Sequence, residues 1–130
     1  MMEKRCISSK NAPPAVGPYS HAVAAGGFLF LSGQGAMAPD GSGLQRGDIE
    51  SETRQTLDNI KAVLSDAGSS LAQVVKMTVY LKDMENFAAM NAVYKEYFPE
   101  NPPARTCIQA GRLPLDFQVE MDAIAMLPND

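Results

Sequence analysis

Histidine occurs once, at position 21, tryptophan not at all, and the two cysteines, Cys6 and Cys107, stand near opposite ends of the sequence. One histidine and two distant thiols cannot assemble a three- or four-ligand zinc site of usual composition, so metal catalysis is not expected. A Ser-His-Asp arrangement would have to recruit His21, and no G-x-S-x-G turn offers a serine, so His21 reads as an ordinary strand residue. No apolar run approaches the roughly 18 residues of a membrane helix. The opening "MMEKRCISSKNAPPAVG" also lacks the apolar core of a signal peptide. These absences predict a cytoplasmic protein with free thiols and no membrane contact. Eleven Lys and Arg face fifteen Asp and Glu, a net charge of −4, and the basic residues are scattered. Nucleic-acid binding rests on clustered cations that release counterions from phosphates, so no nucleic-acid partner is expected.

What is present suffices for one domain, residues 1–130, with 45% apolar residues and no repeat or charge block to mark an internal boundary. "YSHAVAA" and "FLFLSG" flank Gly26-Gly27, a dipeptide free to take the positive φ angles of a tight hairpin turn. From Asp48 to Ala67, Ile49, Thr53, Leu57, Ile60 and Leu64 recur at three-and-four spacing, with Asp48 as N-cap and Gly68 as the left-handed stop. "VVKMTVYL", 74–81, alternates as a strand, and "MENFAAMNAVYKEYF" reads as a second helix that Pro99 ends. Segments 104–110 and 117–127 read as strands joined by "GRLPLD", with Phe117, Val119, Met121, Ala123, Ala125 and Leu127 on one face. A short strand near "KRCIS" would complete the order. The fold class is therefore α+β, a mixed sheet with two helices on one face. On the other face Ile124 and Met126 continue the parity of Gln118, Glu120 and Asp122, so part of it calls for a cover.

"GQGAMA", 33–38, matches a loose dinucleotide fingerprint, but Pro39-Asp40-Gly41 cannot open the helix that would hold a pyrophosphate. Arg105 and Glu120 are the charges placed where apolar residues would be expected. Arg105 can snorkel to solvent, pair with Glu120, or present a fork of donors to a carboxylate ligand. Plain antiparallel pairing through the 111–116 loop would set Glu120 near Arg105 on one face, where it would serve equally as ion-pair partner or as holder of a water. Asn91 interrupts an aromatic helical stripe and is either a surface amide or a buried one with a partner. Cys107 shares parity with Arg105 but has no base to make it a thiolate, so its backbone N–H is of more interest than its sulfur. Tyr19 is either core packing or a pocket wall.

The stretches "GPYSHAV", "LSGQ", "DNIKAVLSDAGSSLAQVVKMTVYLKD", "NFAAMNAVY" and "PARTCIQAGRLP…VEMDAIA" resemble the reactive-intermediate deaminases, the Rid or YjgF-type proteins, over nearly the whole chain. The resemblance implies a chorismate-mutase-like fold and a homotrimer whose sheets surround a central barrel, with clefts between subunits. It implies hydrolysis of 2-imino or enamine acids to 2-keto acids and ammonia, with no cofactor. By position, Arg105 would clamp the substrate carboxylate and Glu120 would orient and deprotonate water. The backbone around Cys107 and Gly33, with Ser32, would line the imine end, and Tyr19 and Asn91 would complete the cleft, some from a neighbouring subunit. Gly35 stands where members often carry a bulky aliphatic residue, the segment before "PART" is short, and Gly111 replaces a frequent alanine. Those departures bear on the substrate side chain rather than the reaction class. The competing expectation is a trimeric carboxylate-binding or chaperone-like protein without turnover.

Overall fold

The computed structural model describes residues 3–43 and 47–128. Its six strands are β1 (Arg5–Ile7), β2 (Ala22–Ala25), β3 (Phe28–Leu31), β4 (Val74–Leu81), β5 (Ala104–Gln109) and β6 (Val119–Met126), with helices α1 (Ile49–Asp66) and α2 (Phe87–Tyr97). They form one mixed sheet in the order β1-β2-β3-β6-β4-β5. The hairpin glycines take φ of 58° and 82°, the two positive angles that suit a right-twisted two-residue turn. Asp48 accepts the Ser51 N–H at 2.8 Å at the start of α1. At its end Gly68 adopts φ 88°, and the Ser69 N–H reaches back to the Leu64 carbonyl at 2.8 Å.

Leu57, Ile60, Val63 and Leu64 of α1 are fully buried with Met77, Val79 and Leu81 of β4 and Val119 and Met121 of β6. Burying each such side chain contributes about 1.5–3 kcal/mol, which makes this layer the main source of the fold's stability. A smaller cluster of Ala36, Leu113 and Phe117 packs at one end of the sheet. The opposite face of the sheet carries Phe28, Phe30 and Met126, each more than 40% exposed, with Phe28 opposite Met126 and Phe30 opposite Ile124 in register. The apolar portion expected on that face is thus present and uncovered.

The pairing of the last two strands differs from the expectation. β5 lies beside β4 in parallel, and β6 lies on the other side of β4, antiparallel to it. A strand, helix, strand succession such as β4-α2-β5 supplies the long crossover that parallel neighbours need, and it outweighs the nearness of β5 and β6 in sequence. His21 also differs from its expected place. It precedes β2 and is buried, its Nδ1 accepting the Ser9 N–H at 2.9 Å and its Nε2 lying 2.7 Å from the Pro13 carbonyl. It ties the N-terminal segment to the sheet. Cys6 and Cys107 are both free, and among the described residues no helix is long and apolar enough to cross a membrane.

Candidate functional site

Arg105 pairs in register with the fully buried Met77, so its side chain leaves β5 toward the helix layer. Phe87, Asn91 and Tyr94 are spaced four and three residues apart and share the face of α2 that meets it. The Arg105 Nη1 donates to Asn91 Oδ1 at 2.7 Å. Its guanidinium carbon lies 4.8 Å from the centre of the Tyr94 ring and 5.6 Å from that of Phe87. Two aromatic rings and an amide hold the fork in place while adding no negative charge, and among the described residues no carboxylate lies within ion-pair reach. A cation fixed this way on an edge strand suits a planar anion arriving from outside. Beside it, burial pushes the Cys107 thiol up, with Arg105 only partly opposing. The sulfur is therefore kept protonated. Burial also pushes the Tyr94 phenol up to about 12, and its hydroxyl has no hydrogen-bond partner among the described residues.

Glu120 stands opposite Tyr80 across the β4-β6 ladder and points to the open face. The bridge between Gln34 and Met121, with N–H···O bonds of 2.8 and 3.0 Å, draws residues 32–36 alongside β6. A Cβ at residue 33 would come within 2.5 Å of Glu120 Oε2, so glycine is what lets the carboxylate lie against the backbone. A cavity of about 260 Å3 opens there, lined by Tyr19, Ser32, Gly33, Met37, Phe117 and Glu120 among others. Burial first, and the neighbouring Asp122 charge second, raise the Glu120 pKa above the ordinary carboxylate value. Asp122 in turn accepts the Tyr80 hydroxyl at 3.2 Å. A half-buried carboxylate with a raised pKa, open to a cavity, is well suited to accept and return a proton.

The candidate residues thus fall into two groups. Arg105, Asn91 and Cys107 form one; Tyr19, Ser32, Gly33 and Glu120 form the other. Arg105 and Glu120 are neither on neighbouring strands nor on one face, because β4 separates their strands and they leave opposite sides of the sheet. The ion pair between them does not exist within the chain. Ser32 lines the cavity, but its hydroxyl is committed to the Ser20 carbonyl at 2.7 Å. Tyr19 is a pocket wall, 44% exposed, its oxygen accepting the Val16 N–H at 3.2 Å. Sequence reasoning did not assign the aromatic bracket of Phe87 and Tyr94, although their spacing around Asn91 was the available signal. It set Asp122 on the face of Glu120 but gave it no role, and Tyr80 none either, because their contact depends on the register between β4 and β6. A larger depression of about 680 Å3 at Glu52, Lys82 and Gln118 holds none of these residues. Its charged groups already have partners: Glu52 accepts from Gln118, Lys82 pairs with Asp116, and Asp83 accepts the Glu85 N–H.

A six-stranded mixed sheet with two helices on one face, an anion-ready arginine at its edge and a proton-ready carboxylate on its open side define a class of small α+β protein. The family model described as endoribonuclease L-PSP matches residues 9–127. RutC family protein PH0854 of Pyrococcus horikoshii is 52% identical over 122 residues, spanning 94% of this chain and 97% of that protein. TdcF of Escherichia coli, whose name provisionally assigns it reactive-intermediate deaminase activity, is 40% identical over 126 residues, spanning 95% of this chain and 97% of TdcF. The crystal structure of Escherichia coli TdcF with bound serine matches with a TM-score of 0.89 at 38% identity, covering 94% of this chain and 98% of that one. The YjgF gene product of the same organism matches at 0.88 and 40%, with coverage of 94% and 98%. The chain belongs to the Rid/YjgF family.

Proposed function

We propose that the protein hydrolyses 2-imino acids and their enamine tautomers to 2-keto acids and ammonia, in clefts formed between copies of the chain arranged as a homotrimer. The observation that carries this reading is the division of the site: an anion fork without an anion on one face and a carboxylate of raised pKa on the other, which only a second copy can bring together. The exposed Phe28, Phe30 and Met126 supply the apolar surface for that assembly. The resemblance to TdcF, through its name and its serine complex, supports a small amino-acid-derived carboxylate as ligand.

In this cleft Arg105 holds the substrate carboxylate and fixes C2 opposite the Glu120 of the neighbouring copy. Glu120 takes a proton from water as the oxygen bonds to C2 and the C=N electron pair moves to nitrogen. That proton passes to the nitrogen to give the carbinolamine; the proton of the new hydroxyl, relayed through Glu120, then goes to the same nitrogen as the C–N bond breaks, so that ammonia leaves and the carbonyl forms. An imine carbon is already electrophilic, so positioning and a single base suffice. The chain's one histidine is buried with both ring nitrogens in hydrogen-bond contact, and the net charge is −4. Both facts favour the deaminase reading over the RNA cleavage named in the family description.

The test is a dehydratase or amino-acid oxidase generating the imine, with its trapped form followed over time. Wild type should speed its loss, and Arg105→Ala should remove about 3 kcal/mol of charge-assisted binding, a fall of roughly a hundredfold. Arg105→Lys should recover little, because an ammonium lacks the planar fork. Equal rates for wild type and Arg105→Ala would refute the proposal, and saturable 2-keto acid binding without turnover would favour a carboxylate-binding protein instead.

A further inference from the structure

The wall of the Glu120 cavity is built from an unusual pairing. A side chain at residue 35 would overlap the Phe117 ring, which occupies the volume that Gly35 leaves empty. That ring is only 7% exposed and packs on Ala36 and Leu113, with Met37 and Tyr80 against the same cluster. The backbone behind it cannot recede. The buried Asn59 Nδ2 donates to the Gly35 carbonyl at 3.0 Å and the Met37 carbonyl at 2.9 Å, fixing residues 35–37 to α1. The remaining open side of the ring is the cavity itself. Its rim adds Val16, 70% exposed, and Leu115, whose backbone is held at φ 55°. The cavity is therefore polar at Glu120 and Gly33 and apolar at its other end.

We propose that Phe117, seated against Gly35, is the specificity-determining wall of this cavity, and that the site selects 2-imino acids with branched or larger apolar side chains over those with one or two side-chain carbons. The inference rests on the deaminase reading for its reaction and on the cavity alone for its selectivity. A volume of about 260 Å3 in a single copy exceeds what a methyl or ethyl group fills. Added methylenes against an apolar wall are each worth roughly tenfold or more in selectivity. With its far end unfilled, a small imine would leave that surface wet and forgo the gain.

The test compares kcat/KM for the imines of leucine and of 2-aminobutyrate in wild type, Gly35→Val and Phe117→Leu. Wild type should favour the leucine-derived imine at least tenfold. Gly35→Val should drive the ring into the cavity and cost the leucine-derived imine at least tenfold more than the smaller one. Phe117→Leu, which shortens the wall without crowding residue 35, should raise the relative rate with the phenylalanine-derived imine and serves if the valine variant does not fold. Equal effects on large and small imines, or no preference in wild type, would overturn the proposal. If wild type accelerates no imine, the deaminase reading fails, and selectivity is then read from calorimetry with 4-methyl-2-oxopentanoate and 2-oxobutanoate. Tighter binding of the branched acid that Gly35→Val abolishes sustains the wall; equal affinities overturn it.

Discussion

Arg105 and Glu120 leave opposite faces of the same sheet, with β4 between their strands. Adjacent strands lie about 4.8 Å apart, so two spacings and the thickness of the sheet separate the residues. A single chain therefore cannot bring the two together, and in the proposed function the consequences reach pH response, stability and assembly.

Glu120 must be ionised to take a proton from water, and its pKa is raised by burial and then by Asp122. The acid limb of the kcat/KM profile should therefore lie above the ordinary carboxylate value of 4.5. Asp122→Asn removes the charge contribution and leaves the burial, so the limb should move to lower pH. A pH-rate series on both proteins checks the direction; a limb moving upward would contradict the assigned cause.

The same shift bears on folding. A carboxyl whose folded pKa is raised favours folding while protonated, and that contribution is lost as pH rises from the unfolded value through the folded one. Glu120→Gln should then abolish turnover yet raise Tm relative to wild type at pH 7, with the difference shrinking toward pH 4. Thermal unfolding at fixed protein concentration across that range tests it.

Asn59→Ala would strip the Gly35 and Met37 carbonyls of their buried donor. We expect a loss of about 2–3 kcal/mol in urea unfolding, since unpaired buried polar groups cost more than the bond itself contributes. Gln55→Ala, which removes only a bond to the Asn59 oxygen at 2.9 Å, should cost far less.

Phe30→Asp places a charge in the exposed apolar patch opposite Ile124. Burying it unpaired would be costly, so sedimentation should show a smaller species than wild type, and imine hydrolysis should fall with it. A variant of wild-type mass and activity would mean this patch is not the interface.

Both helices and the β4 strand were legible because their signals are local. Asp48, Gly68 and the three-and-four pattern bound α1, and alternation marked Val74–Leu81. The chemical residues were legible as charges out of place, and parity assigned Cys107 to the side of Arg105. Strand order was not legible from the "GRLPLD" loop, because a hairpin and a return past β4 require much the same turn chemistry. The βαβ succession held the answer, and weighing it would have split Arg105 from Glu120 at once. Gly35 stood out in the sequence, but its meaning depended on the Phe117 ring eighty-odd positions along, a contact no local pattern encodes.

The most direct test of a site shared between copies is subunit mixing. Arg105→Ala and Glu120→Gln are each expected to be inactive alone. Unfolded together in equal amounts and refolded, they should form mixed assemblies in which about one cleft in four combines an intact Arg105 with an intact Glu120 from its neighbour, as random placement around a closed ring requires. Recovery of roughly a quarter of wild-type activity is the predicted result. Mixed assemblies, verified by mass, that stay as inactive as their parents would contradict it.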